Sequence, residues 1–190
     1  MDVSISHLIG SVALIGLVIA AGLSYTIVTS SIQDEVSKQQ LTQISEYVAL
    51  NIAEMANLQK YAINSNHYMI RSLNLPVDQA GKTYAVQIKA ETSTDESTSY
   101  KVRTCLVSKP SLFSEAIIPL NSSSTWLTII TEPGQFLYNS SLPIYTIKYD
   151  STIYGNGETI VWGRTLWSET TTITGIEVGI GWKEPYNGDL

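Results

Sequence analysis

The sequence predicts an α+β chain, in which a long N-terminal helix, first membrane-type and then amphipathic, is followed by an antiparallel β-sandwich-like head. Three observations carry that prediction. No Asp, Glu, Lys or Arg falls between Val3 and Gln33. Beyond it, apolar residues recur at three- and four-residue steps to about Ala62. From there the composition turns to β-branched, aromatic and turn-forming residues. The chain therefore divides into a transmembrane helix over 3–33, an amphipathic continuation over 34–62 and a head over 63–190.

The first segment is read from its length and its lack of charge. Leu8 to Leu23 is almost wholly Leu, Ile, Val, Ala and Gly. A hydrocarbon core roughly 30 Å thick needs about 20 such residues at a 1.5 Å rise. A cleaved secretory signal fits poorly, because it carries a basic n-region and a shorter apolar core. Here no Lys or Arg precedes the run. The expectation is an uncleaved single-pass anchor in a lipid membrane. Lys38 alone flanks the segment closely, so the positive-inside rule decides little about orientation.

In the second segment Ile32, Val36, Leu41, Ile44, Val48, Ile52, Met55 and Leu58 form an apolar stripe, with Asp34, Glu35, Lys38, Gln39, Gln43 and Glu46 over much of the remaining surface. Such a stripe has to be buried. Two partners are open, the chain's own head and identical neighbours, and both hold at once if the distal part lies on the head while the proximal part faces neighbours. The candidate assembly residues are Leu14, Leu17, Ile32, Val36, Leu41, Ile44 and Val48. On the assembly reading, a charge at Leu41 or Ile44 leaves the head folded and abolishes helical oligomers.

The head is read from alternation and punctuation. Asn74-Leu-Pro76 and Gly81 end the helical register. Tyr84–Ala90 and Tyr100–Val107 alternate across an acidic, polar stretch and predict a hairpin. Further strands are expected over Ala116–Leu120, Trp126–Thr131, Ile144–Tyr149, Thr159–Trp167 and Thr172–Trp182, separated by Pro133-Gly, Pro143 and Gly155-Asn-Gly157. Short strands with frequent turn signals predict sheets that bury their alternating faces against each other. Trp162 and Trp182 are expected in the core and Trp167, beside Ser168-Glu-Thr-Thr, at the surface. Gly175, Gly179 and Gly181 point to a bend or a close backbone approach in the last strand.

Composition bounds the chemistry. The net charge is −6 and the 11 Lys and Arg residues are not clustered, which excludes the electrostatic footprint of a nucleic-acid binder. Cys105 is the single cysteine, so the chain forms no internal disulfide and no thiolate zinc site, and packing in a strand is its expected role. His7 and His67 are the two histidines, and with Cys105 they make no catalytic triad and no imidazole-rich metal site. Asp150, Asn156 and Glu158 surround a Gly-containing loop that lacks EF-hand spacing and reads as a plain turn. Nothing matches a Walker motif, a dinucleotide fingerprint or a nucleophile elbow. The expectation is a non-enzymatic protein with no cofactor and no resident metal. Asn121-Ser-Ser and Asn139-Ser-Ser are acceptor patterns for N-glycosylation, which suits a head outside the cell.

With these residues in place, Ser6-His-Leu-Ile-Gly-Ser-Val-Ala-Leu-Ile-Gly-Leu-Val-Ile-Ala20 and the helix running on from it to a β-rich head resemble the archaeal type IV pilin-like family. That family comprises pilins, archaellins and accessory proteins of the archaellum base. The resemblance covers Val3 to about Ala62. It implies a cell-surface structural or accessory subunit of a pilus-like or archaellum-like filament, with the membrane, identical or related subunits and surface-layer protein as partners. Prepilins of the family carry a short basic leader, whereas Met1-Asp2 alone precede Val3, and the glutamate near the start of bacterial pilin helices is missing. This departure favours an uncleaved, anchored accessory protein. The alternative is a membrane-tethered β-domain binding module that recognises surface-layer protein or glycan.

Overall fold

The computed structural model describes residues 2–61, 68–79, 81–92, 98–120, 127–139, 144–155, 158–167 and 173–185. Helix α1 covers Asp2–Gln59, and ten strands follow among the described residues. They are β1 Tyr68–Ser72, β2 Tyr84–Thr92, β3 Thr98–Leu106, β4 Lys109–Ile117, β5 Leu127–Ile129, β6 Gly134–Asn139, β7 Ile144–Tyr149, β8 Thr152–Tyr154, β9 Thr159–Trp167 and β10 Ile173–Pro185. The α+β class follows directly: one long apolar helix and two sheets that are antiparallel except at β5. The chain forms two compact units, Met1–Ser37 and Lys38–Leu190, so the distal part of α1 belongs structurally to the head.

Alternation sets the sheets. The four-stranded sheet runs β4-β3-β2-β8, and the expected hairpin pairs Tyr84 with Leu106 through to Thr92 with Thr98. The larger sheet runs β1-β9-β10-β7-β6, with β5 parallel to β10. β10 is long enough to pair with β9 along one edge while sharing its other edge between β5 and β7. Ile176, Val178 and Ile180 of β10 point into the main core, and Glu177, Gly179 and Gly181 occupy the intervening positions.

That core is common to both sheets and the helix. Leu41, Ile44, Val48, Ala49, Ile52, Ala53, Met55 and Ala56 of α1 pack in one cluster with Val86 and Ile88 of β2, Val102 and Leu106 of β3, Ile153 of β8, Val161 of β9 and the inward β10 residues. Fully burying a Val, Leu, Ile or Met side chain contributes about 1.5–3 kcal/mol, so the buried row of α1 is a principal source of head stability. Leu58 is 51% exposed, because it lies off the row that Leu41, Ser45, Val48, Ile52 and Ala56 define. Gly163 permits the close approach of helix to sheet, since a Cβ there would meet Met55 Cγ at 2.9 Å and Gln59 Cγ at 3.0 Å.

The last residue of α1 is tied to β9 by polar bonds. Gln59 is fully buried; its Nε2 donates to Gly163 O at 2.7 Å, and Thr165 Oγ1 donates to Gln59 Oε1 at 2.8 Å. Lys60 N and Tyr61 N bond to the carbonyls of Asn57 and Leu58, which tightens the final turn and uses acceptors that the helix end leaves over.

A second cluster lies on the other face of the larger sheet. Ile147, Ile160 and Trp162 are buried there under Tyr68, Ile70, Phe136, Tyr138, Tyr145 and Tyr149. Trp162 packs on Gly179, its register partner, where a Cβ would come within 2.8 Å of the indole. The close backbone approach expected in the last strand occurs at Gly181, where a Cβ would collide with the Lys148 carbonyl, while at Gly179 the neighbour is the Trp162 ring. Arg164 ties three strands on this face, with Nε donating to Glu177 Oε2 at 2.5 Å and Nη1 to Tyr68 OH at 3.0 Å. Burial alone pulls the Arg164 guanidinium down, but those two bonds and the Glu177 charge outweigh it and raise it above its ordinary value.

Several sequence expectations are corrected. Of the strand expected over Ala116–Leu120, only Ala116 and Ile117 are in a strand, as the end of β4, which begins at Lys109 and pairs Phe113 with Cys105; Ile118 to Leu120 lie beyond it. β1, β6 and β8 were not expected. β6 follows Pro133-Gly, whose turn signal hid a strand that starts at Gly134 itself, and β8 has three residues, too few to show a period. Cys105 is buried in β3, as its alternating context predicts.

Tyr84 gives the fold a measurable alkaline limit. Its ring is fully buried, and its OH donates to Pro76 O at 2.5 Å. Burial pushes the phenol from 10.0 up to about 12. The folded value lies above the unfolded one, so the contribution is fully present below pH 10.0 and is lost as pH rises towards about 12. Unfolding titrations should show about 1–2 kcal/mol of stability lost across that window, a loss that Tyr84→Phe removes.

Candidate functional site

The first functional element is the proximal part of α1. Leu8, Ile9, Val12, Leu14, Ile15, Leu17, Val18, Ile19, Leu23, Ile27 and Val28 are all more than half exposed. The helix is long and apolar enough to cross a membrane, and its most apolar window has no buried share. Hydroxyls within it are satisfied locally: Ser11, Ser24 and Thr26 donate to the carbonyls of His7, Ala20 and Gly22, and Ser30 to that of Ile27, at 2.8–2.9 Å. Back-bonding of this kind lets a polar side chain sit where no water is at hand. Gly10, Gly16 and Gly22 have no neighbouring atoms within 4 Å of a notional Cβ.

The candidate assembly residues fall into two groups. Leu14, Leu17, Ile32 and Val36 are exposed by 67%, 69%, 56% and 48%. Leu41, Ile44 and Val48 are exposed by 0%, 6% and 0% and form part of the head core, so no face of theirs is open to a neighbour. The stripe is continuous in sequence, but from Leu41 onward the head has already filled it. A charge at Leu41 or Ile44 therefore strikes the fold, which corrects the expectation that the head would survive it. Thr42 adds a polar tie, with Oγ1 2.8 Å from Ser114 Oγ of β4.

The second element is a cavity of about 330 Å³ on the head, lined by Tyr154, Glu158, Trp182, Lys183 and Glu184 with Ile153 among the apolar residues. β8 presents Tyr154, and the end of β10 presents Trp182 to Glu184. Trp182 Nε1 donates to Glu184 Oε1 at 3.0 Å, and Lys148 Nζ lies 2.7 Å from Glu184 Oε2. The Lys148 bond, followed by the Trp182 bond, holds the Glu184 carboxyl below its ordinary range. Lys183 Nζ sits 3.7 Å from Glu158 Oε1 and 3.7 Å from the centre of the Tyr145 ring. Trp182 is half-buried: it packs against the main core, as expected, and also borders the cavity.

Among the described residues, no group of three or more His, Cys, Asp or Glu converges as a metal site. His67, Asn121, Trp126, Asn156 and the side chains of Asn139 and Trp167 lie outside the described residues, and with them both glycosylation candidates. No protein-family model, no curated protein and no solved structure matches this chain.

Proposed function

We propose that this is a non-enzymatic, membrane-anchored cell-surface protein that acts as a structural or accessory subunit of a pilus-like or archaellum-like filament. One observation carries the anchoring: an apolar helical segment whose side chains are exposed throughout and whose hydroxyls are bonded back to its own backbone. Lipid, or the same segment of identical or related subunits, is the environment that satisfies it. The filament role rests on the resemblance of Ser6–Ala20 and its helical continuation to pilin-like chains. Leu14, Leu17, Ile32 and Val36 are the residues available for helix contacts. The head, a separate compact unit, then stands outside the cell.

Expression of the full chain beside residues 38–190 tests this reading. The full chain should sediment with membranes and require detergent for release, while 38–190 stays soluble and folded. Leu17→Asp should weaken membrane insertion by about 2.5–3.5 kcal/mol without touching the head. Electron microscopy of surface shear fractions then reads assembly. A full chain that is soluble without detergent would remove the anchor, and one that stays membrane-bound and monomeric would remove the filament.

A further inference from the structure

We infer that a second cavity, between the distal part of α1 and the segment that follows β1, is a binding site for a neutral saccharide. The inference concerns the head alone and stands whether or not the chain anchors or polymerises. The whole lining falls within residues 40–79 and so within one compact unit.

The cavity joins apolar and polar surface in one space. Its volume of about 360 Å³ lies at the small end of ligand cavities, which run from about 300 to 1,000 Å³. Gln40, Gln43, Ile44 and Tyr47 form the helix wall, at the three- and four-residue steps that share one helical face. Opposite them, Leu75 and Pro76 add apolar surface, while Asn74, Asp78 and Gln79 add polar surface. A pyranose has the same division, with apolar C–H faces and a rim of hydroxyls.

The polar groups of the lining are largely unsatisfied. Gln79 is only 6% exposed, yet its side chain bonds to no described residue, and its Oε1 is a buried acceptor without a donor. Leaving such a group unpaired costs about 1–3 kcal/mol. The last torsion of a glutamine is soft, so either end of that amide turns to meet a ligand in the cavity. The side-chain amides of Gln40, Gln43 and Asn74 make no bond with another described residue either. Each amide offers an acceptor and two donors, and each sugar hydroxyl donates and accepts, so two adjacent hydroxyls match one amide.

Charge selects against ionic ligands. No Lys or Arg lines the cavity, and Asp78 is its single carboxylate, with Oδ1 already accepting from Gly81 N at 3.0 Å. An anion finds no counter-charge there, and a cation finds one solvated carboxylate, a pairing worth little. An extended peptide bonds best to a strand edge, and neither wall is a strand of the two sheets. The walls are also set before any ligand arrives. Leu41, Ile44 and Val48 fix the helix in the core, Tyr84 OH holds Pro76 O at 2.5 Å, and Gln79 and Lys82 exchange two backbone bonds at 2.9 Å. Binding therefore spends little on ordering the site.

The test uses the full chain in a polyoxyethylene detergent, which presents no sugar headgroup to compete. Methyl glycosides of glucose, galactose, mannose and N-acetylglucosamine are each titrated through the millimolar range and followed by saturation-transfer NMR, with choline and N-acetyl-triglycine amide as cationic and peptide controls. Saturable transfer to the ring protons of at least one glycoside is expected. Gln43→Ala and Tyr47→Ala, at exposed helix positions outside the core, should each weaken it about tenfold. Leu137→Ala, at an exposed residue that does not line the cavity, should leave it unchanged. Near-UV circular dichroism shows that each variant is folded. Absence of transfer to all four glycosides, transfer that survives Gln43→Ala or Tyr47→Ala, or stronger transfer to choline or to the peptide would each overturn the assignment.

Discussion

Val48→Asp should unfold the head, whereas Leu50→Asp, two residues along the same helix, should leave it intact. Val48 is fully buried among residues from the helix and both sheets, and Leu50 is 55% exposed. The substitution removes an apolar side chain worth about 1.5–3 kcal/mol and places a carboxylate in a cluster of apolar side chains. A buried, unpaired charge adds several kcal/mol more, so the total exceeds about 4 kcal/mol, against a typical domain stability of about 5–15 kcal/mol. Leu50→Asp exchanges one solvated side chain for another and should change stability by less than about 1 kcal/mol. Denaturant melts of the full chain in detergent, followed by tryptophan fluorescence, read both. The pair separates two roles within one helix: the core role of the residues from Leu41 onward and the environment-facing role of Leu14, Leu17, Ile32 and Val36. A Val48→Asp chain that melts like the parent would mean that the distal helix does not hold the head together.

The contrast between those roles marks where local pattern stops being informative. Periodicity shows that Ile32 to Met55 share a stripe, but not that the head takes only the part from Leu41 on, because that depends on where Val161, Gly163 and Thr165 present a face. Strands bounded by clear turn signals, Ile144–Tyr149 after Pro143 and Thr159–Trp167 after Gly155-Asn-Gly157, have the ends that the sequence predicts. β8 and β6 escaped because one is too short for a period and the other opens on a glycine that reads as a turn. Gln59 was invisible for a different reason. A glutamine at a helix end is ordinarily solvated, and its burial is tolerable here only because Gly163 and Thr165 satisfy its amide from more than 100 residues away in sequence. Ala49, Ala53 and Ala56 carry little hydropathic signal, yet they let the helix lie close on the sheet. The Tyr154 cavity joins residues of β8, Glu158 and the end of β10, a juxtaposition that no contiguous motif records.

Trp162→Ala should cost about 3–5 kcal/mol, and Trp162→Phe far less. The indole is 1% exposed and meets Tyr149, Phe136 and Tyr68 at ring-centre distances of 4.9, 5.3 and 6.3 Å. Phe136 and Tyr68 in turn stack at 4.0 Å. These residues come from β1, β6, β7 and β9, so a cavity at Trp162 loosens four strands of the larger sheet at once. The helix cannot compensate, because it packs on the opposite face, against Gly163 and Thr165. Phe keeps an aromatic ring above Gly179 and most of the apolar contact. It also removes an indole N–H that has no acceptor among the described residues, and a buried unpaired donor costs about 1–3 kcal/mol. That gain offsets part of the lost volume, so Trp162→Phe should lie within about 1.5 kcal/mol of the parent. Equal losses in the two variants would show that the indole N–H is satisfied in solution. A small loss in Trp162→Ala would show that the outer aromatic layer adds little to the head, leaving the helix-filled core to hold both sheets.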